Sequence, residues 1–400
     1  MKSKRRKMVL ALILIACSLF LTGCWGTREV EQLEPLIGIG FDLGQKPGTY
    51  LITEQFARPQ KGETTASAEI NRTLSIEASS LREAYEKTSK IIYHLPFMGS
   101  LKVIVIGEDV AKVGFLDVAD FLQRYSEFRR SMYLVLAKGK AQSILNVKLR
   151  SKSIVAMYIK NNIETGKTIS TFPTVRLGHY LTVLGRRSTA PIMPVIEMIK
   201  SGDEGIEYET DGKDEAQELR LQGAGVFRGD QLIDFLNDEE TKGYMWLENQ
   251  VIQRPMSTVG TGKSEQNFAG HVLNSKTRYK VSNKDGTIGL QYQIKASIEI
   301  DEVHGLKEQL SETEWVDLMK EAEKSFTKVI QKECEVSIQK ERGLGLDFLG
   351  IGRHIEERNP AYWKTVKDQW EQKIADFPVS VNVDVTIHHS GMSNSSATVD

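Results

Sequence analysis

The tightest constraint on the fold lies late in the chain. Ile288, Leu290, Tyr292, Ile294, Ala296, Ile298 and Ile300 are apolar at every second position. A period of two sends these side chains to one face, so the stretch reads as a long half-buried strand. Val379, Val381, Val383, Val385 and Ile387 repeat the pattern, and Asn283-Lys284-Asp285-Gly286 makes a turn before the first strand. Between the two strands the period changes to that of helices. Ser311 and Glu314 have capping-box spacing, and Trp315, Met319, Ala322, Phe326 and Ile330 then share one face. Cys334 continues that face, which predicts a buried, inert thiol. Asn359-Pro360 is a favoured cap and first turn, followed by Trp363, Val366, Trp370 and Ile374 as a core face. Half-buried strands with helices on one side point to an antiparallel sheet in an α+β domain.

The chain has 400 residues, 40% hydrophobic and 26% charged, which are globular values and too many residues for one ordinary domain of ~150. Residues 36–41 and 50–56 read as strands around the turn 44–48, and residues 58–70 as a polar loop. Ser80 to Glu83 is a capping-box pattern opening a helix to about residue 93. A strand at 101–106, a helix at 109–125 and a strand at 132–137 come next. Residues 201–218 hold eight acids and one lysine, the composition of a solvated linker. Strands 219–227 and 231–236 flank Arg228-Gly229-Asp230, which is good turn chemistry rather than an adhesion motif. The expected organisation is a leader over 1–23, an N-terminal α+β domain over 24–200 and an acidic linker over 201–218. A small β-rich domain over 219–275, a C-terminal α+β domain over 276–390 and a disordered tail over 391–400 complete it. The fold class is thus α+β: an elongated multi-domain chain of mostly antiparallel or mixed sheets with packed helices.

The first residues read as an address. Lys2, Lys4, Arg5, Arg6 and Lys7 precede fourteen residues, 8–21, in which only Ser18 is clearly polar. That is the charge and length of a signal peptide, and it is short of the ~20 apolar residues of a spanning helix. Leu21-Thr22-Gly23-Cys24 resembles the bacterial lipobox, with cleavage between Gly23 and Cys24. The Cys24 sulfur would take up diacylglyceryl and its new α-amine a further acyl chain, a palmitate-type anchor. Two chains hold stably where one binds marginally. The leader removes five of the 52 basic residues and no acid, leaving 47 against 53 acids, a formal charge of −6. Attachment then rests on lipid rather than on a basic patch. Of three cysteines, Cys17 leaves with the leader and Cys24 is consumed, so no disulfide forms and Cys334 stays single.

The motifs of catalysis and cofactor binding are incomplete. Gly260-Thr261-Gly262-Lys263-Ser264 is like the end of a P-loop, but Ser257 stands where the first glycine belongs. Gly343, Gly345, Gly350 and Gly352 miss the dinucleotide fingerprint, because Phe348 takes its third position; they read as a linker between helices. His388 and His389 are neighbours on a strand, so they point to opposite faces. The formal net charge of −1 lacks the basic stripe of a nucleic-acid binder. No enzyme, cofactor or metal is expected.

Cys24-Trp25-Gly26-Thr27-Arg28-Glu29-Val30, Leu33 and Gly38-Ile39-Gly40-Phe41-Asp42 together resemble the start of mature Ger(x)C (GerAC-like) spore germination lipoproteins. Gly26 stands where Asp is common there, and Phe41 is inserted before Asp42. Residues 50–56, the run Gly107-Glu108-Asp109-Val110-Ala111-Lys112-Val113-Gly114, Arg124, Arg129 and Ala137-Lys138-Gly139-Lys140-Ala141 are similar to later stretches of the same family. Gly223-Ala224-Gly225-Val226-Phe227 with Leu232 and Leu236 resembles its C-terminal half. The resemblance implies three α+β domains in a row and a non-enzymatic C subunit of a nutrient germinant receptor, present in sporulation and the endospore. It implies lipid attachment to the outer face of the cell membrane or inner spore membrane, beside integral membrane A and B subunits. Nutrient binding would belong to B. Cys24 is the one functional position carried over. The competing expectations are a solute-binding lipoprotein of a transporter, with two βαβ lobes around a cleft, and a cell-envelope hydrolase.

Overall fold

The computed structural model describes residues 4–6, 8, 32–57, 71–125, 127–151, 153–203, 217–258, 267–284, 286–304 and 310–388. The cleavage pair Gly23 and Cys24, the loop 58–70, residues 204–216 of the acidic segment, the stretch 260–264, His389 and the tail 391–400 lie outside the described residues.

The first sheet contains β1 (Leu33–Leu43), β2 (Tyr50–Ala57), β3 (Asn71–Ala78), β4 (Leu95–Phe97), β5 (Val103–Ile106), β6 (Tyr133–Ala137), β7 (Ile192–Lys200), β8 (Gln217–Arg228) and β9 (Gln231–Leu236). Its order is β3-β2-β1-β5-β6-β7-β8-β9, with β4 also on β1. The four central strands are parallel and the outer ones antiparallel. The centre is apolar at every residue because both faces are covered. Ile104, Ile106, Leu134 and Leu136 pack on one side with helices α2 (Glu108–Val113) and α3 (Leu116–Arg124). Val103, Val105, Val135 and Ala137 pack on the other with α4 (Ala141–Leu145) and α5 (Val155–Ile169). The helix α1 (Leu81–Ser89) precedes these, and α6 (Leu177–Leu184) leads into β7.

Several expectations are corrected here. The helix expected over 109–125 is two, because Gly114 sits at φ 109°, outside any right-handed helix. The helix after Ser80 stops at Ser89, since the residues beyond leave it to place β4 against β1. Its cap is only half a box: Ser80 Oγ accepts from the Glu83 N–H at 3.2 Å, while the Glu83 carboxylate turns to the Ser79 N–H at 2.9 Å. The boundary placed at 201–218 interrupts no sheet. Residues 217–236 are β8 and β9 of this first sheet, and β8 pairs with β7 from Ile192↔Val226 to Lys200↔Gln217.

The second sheet has the order β10 (Pro255–Ser257), β11 (Asn267–Lys284), β12 (Thr287–His304) and β13 (Val379–His388). Leu290, Tyr292, Ile294, Ala296, Ile298 and Ile300 all face the core, as their alternation requires. β11 and β12 form an antiparallel hairpin, and the Gly286 N–H donates to Asn283 Oδ1 at 3.1 Å in its turn. β11 runs through the expected division at 275/276. β12 and β13, by contrast, are parallel, from Leu290↔Val379 to Glu299↔His388. The long connection between them supplies the helical crossover that a parallel pair needs, so the two alternating strands run the same way.

That connection begins, after α7 (Asp238–Leu247), with α8 (Glu312–Leu344), capped by a full Ser311–Glu314 box. Ala322, Phe326, Ile330 and Cys334 on its inner face are completely buried. α9 (Ile351–Arg358), α10 (Pro360–Val366) and α11 (Trp370–Lys373) come after it. The last amphipathic stretch is thus broken by 3₁₀ turns, yet Trp363, Val366, Trp370 and Ile374 remain buried. The glycines expected to be a plain linker cap helices instead: Gly345 ends α8 and Gly350 opens α9, both with positive φ. Residues of both sheets belong to one continuous core. Phe326→Ala is expected to lose about 3–5 kcal/mol in urea denaturation. The exposed neighbour Lys324→Ala should stay within about 0.5 kcal/mol.

Candidate functional site

The residues that carried the family resemblance converge at the C-terminal ends of the parallel strands. Both Asp42 oxygens accept backbone N–H groups, from Ala141 and Gln142, each at 2.8 Å. These are the first residues of α4, where unpaired N–H groups and the helix dipole favour a carboxylate. Burial pushes the Asp42 carboxyl up, and the two N–H groups only partly counter it. The Gly107 N–H donates to the Phe41 carbonyl at 2.8 Å, and a Cβ on Gly107 would lie 2.2 Å from Asp42 Oδ1. Glu108 exchanges hydrogen bonds with the Gly139 backbone, both at 2.9 Å. Gly38 lets β1 approach α5: a Cβ there would stand 2.6 Å from that of Ala156. Gly38, Asp42, Gly107, Glu108, Gly139 and Ala141 therefore form one interlock, far apart in sequence and joined in space. Arg124 and Arg129 are not part of it. Arg124 pairs with Asp120 on an exposed helix face, and Arg129 is exposed. The Arg228-Gly229-Asp230 turn joins β8 to β9, and Asp230 accepts the Leu116 N–H at 2.8 Å.

A second set of buried polar groups lies between the two sheets. Arg254 binds Glu333 through both terminal nitrogens, and Trp246 Nε1 donates to Glu333 Oε2 at 2.8 Å. The Arg254 and Glu333 side chains are 4% and 8% exposed, so this ion pair is nearly dry. Asp347 accepts from the Ile351 and Gly352 N–H groups and from Trp370 Nε1 at 2.7 Å. Burial nevertheless pushes its carboxyl up to about 6. For Glu248 burial acts in the same direction but is outweighed by the nearby His354 ring and the Arg353 guanidinium, which holds both its oxygens at 2.8 Å. In β2, burial pushes Glu54 up to about 7, with only Thr88 donating to it. Cys334 is buried and its thiol is pushed up by burial, so it is no nucleophile.

A cavity of about 360 Å³ opens between α1 and α3, floored by Phe41, Tyr50 and Ile52. Another, of about 140 Å³ and lined by polar and apolar groups alike, lies beside His179, Glu248 and Arg353. Among the described residues no three His, Cys, Asp or Glu are placed to share a metal, and no helix is long and apolar enough to cross a membrane. Each buried carboxylate named above accepts from backbone, arginine, tryptophan or threonine, with one Glu54 oxygen left without a partner.

Residues 26–198 match the family described as "Spore germination protein N-terminal domain", and residues 222–391 match "Spore germination B3/ GerAC like, C-terminal". The chain belongs to the GerAC-like spore germination family. It is 26% identical to spore germination protein KC of Bacillus subtilis (strain 168) over 97% of both chains. It is 23% identical to spore germination protein B3 of the same organism, over 98% of this chain and 99% of that one. Its fold is like the crystal structure of the GerBC protein, with a TM-score of 0.53 and 18% identity over 88% of this chain and 97% of that one. The resemblance seen in the sequence and the mixed helix-and-sheet fold both hold, and Cys334 is free among the described residues.

Sequence reasoning passed over the buried charges. Glu54 sits in a run buried on both faces, and Glu333 sits one position from the apolar face of α8; neither has a periodic signal. Glu54 sets a pH dependence. The folded chain keeps a proton that the unfolded chain releases between its ordinary pKa of 4.5 and about 7. Its contribution is complete below pH 4.5 and is lost as pH rises through 7. Glu54→Gln should therefore be about 3 kcal/mol more stable than the parent at pH 8 and nearly equal to it at pH 4.5, by urea denaturation. Glu333→Leu, which strands a buried guanidinium, should lose about 3–5 kcal/mol, and adding Arg254→Met should recover most of that loss.

Proposed function

We propose that the chain is the lipid-anchored C subunit of a nutrient germinant receptor, required for nutrient-triggered spore germination and working by assembly with integral membrane A and B subunits. The observation that carries this reading is the leader ending in Leu21-Thr22-Gly23-Cys24 immediately ahead of a chain that matches the germination family from residue 26. Acylated Cys24 holds the protein on the outer face of the cell membrane or inner spore membrane. Confinement there raises its effective concentration beside membrane partners. The core shared by the two sheets supports this over a solute-binding lipoprotein, which would need two lobes free to close on a ligand. The interlock around Asp42 supports a subunit that presents surfaces rather than one that performs chemistry.

The test is germination of spores lacking the chain against spores carrying Cys24→Ala. Deletion should abolish the response to particular nutrients while non-nutrient triggers still work. Cys24→Ala should slow the nutrient response by on the order of tenfold, with the protein still folded, because local concentration is lost and the surfaces are kept. A full-strength response from an unlipidated protein refutes the anchor's role. Normal germination of the deletion strain with every nutrient, in spores without a second receptor of this family, refutes the receptor reading.

A further inference from the structure

Residues 91–98 carry an alternation turned inside out. Ile92, Pro96 and Met98 are buried, while Ile91, Tyr93, Leu95 and Phe97 point into solvent. Tyr93 is 94% exposed and Ile91 54%. Leu95 and Phe97 lie on β4, and Ile91 and Tyr93 on the turn that leads into it, so four exposed apolar side chains fall within seven residues, a cluster the fold itself does not require. Register extends the row: Leu33 is the partner of Leu95 and Pro35 of Phe97, both half-buried on β1. The eleven residues 91–101 contain no Asp, Glu, Lys or Arg, with His94 their one titratable side chain besides Tyr93.

The position of this row is as telling as its composition. β1 pairs first with β4 at Leu33–Pro35 and only then with β5 from Gly38 onward. Leu95 therefore lies five residues along β1 beyond the start of β5, about 16 Å, so β4 carries the edge of the sheet on past the N-terminal end of β5. This end of the sheet is where the chain arrives from Cys24. Eight residues lie between Cys24 and Leu33, a reach of about 30 Å at full extension.

We propose that the row Ile91, Tyr93, Leu95 and Phe97 is a membrane-contact element that dips into the headgroup layer beside the acylated Cys24, and so fixes which end of the domain faces the bilayer. This rests on the lipid-anchor reading above. A tyrosine among uncharged apolar residues is the composition of a membrane interface, and no charge has to be desolvated. The row exposes a few hundred Å², about half of the ~800 Å² per partner in a stable protein interface, which favours lipid over a protein partner. A lipid tether needs only a weak second contact to set orientation.

The experiment uses the full acylated protein in vesicles of phosphatidylcholine and phosphatidylglycerol. Tyr93→Cys carries an environment-sensitive nitrobenzoxadiazole probe, and Gln45→Cys, exposed at the opposite end of β1, is the control. Acylation consumes Cys24, and Cys334 is fully buried, so the probe labels one site. Tyr93 is nearly all in solvent, so its replacement leaves the fold intact. The expected result is a blue shift and several-fold brighter emission at position 93, quenched by lipids spin-labelled near the headgroup, with neither effect at position 45. Protein that floats with vesicles but shows no shift at 93, or equal shifts at 93 and 45, overturns the proposal and leaves the anchor standing. Protein that does not float overturns the anchor reading and the proposal with it. A shift at 93 that appears only with spore membrane proteins in the vesicles overturns the bilayer as the occupant in favour of a protein partner.

Discussion

One nearly dry ion pair sits where three distant elements of the chain meet. Glu333 on α8 takes both nitrogens of Arg254, which leads into β10, and the indole of Trp246 on α7. Three elements distant in the chain are thereby fixed against one carboxylate. Taking two charges out of water is costly, and the bonds to Glu333 offset only part of that cost, because the Arg254 Nε is buried without a partner. Removing one partner strands the other charge inside the shared core, whereas an apolar group of the same volume on both sides would pack there.

The interlock around Asp42 likewise brings distant elements together, at the first sheet. It explains why family resemblance survives in short separated runs. Glycine is demanded at 38 and 107 by approach distances that a Cβ would violate, and a carboxylate is demanded at 42 by two helix N–H groups. Those requirements are geometric, so the intervening sequence can change freely as long as these contacts persist. Resemblance read from such residues reports a fold and a family, and says little about which molecule the protein meets.

How legible the molecule was in its sequence depends on the same distinction. The alternation at 288–300 and the helical face from Trp315 to Cys334 were readable, because burial imposes a period on them. The direction of β13 against β12 was not, since alternation is the same in parallel and antiparallel strands. Sheet membership of β8 and β9 was hidden by the acidic run before them, whose composition reads as a linker and says nothing of which strands pair across it. Of the candidate site, Cys24 is an expectation that rests on its leader and lies outside the described residues, while the Asp42 interlock needed three dimensions. The exposed apolar residues at 91–97 were not legible: the sequence reading carried the helix after Ser80 to about residue 93, and an almost unbroken apolar run has no alternation to tell which side chains face out.

The parallel pairing of β12 with β13 also sets an order of assembly. A chain released N-terminus first completes the sheet ending at Leu236 while its last strand is still unmade. β12 then has β11 on one side and an open edge on the other until residues 379–388 emerge. Open edges recruit stray strands, and pairings this distant in sequence close slowly. The crossover helix α8 can shelter the apolar face of β12 during that interval, but not its hydrogen-bonding edge. The last strand therefore acts as a time stamp: the second sheet is closed only once residues 379–388 are made, and a chain cut short before residue 379 leaves the edge of β12 open to stray strands.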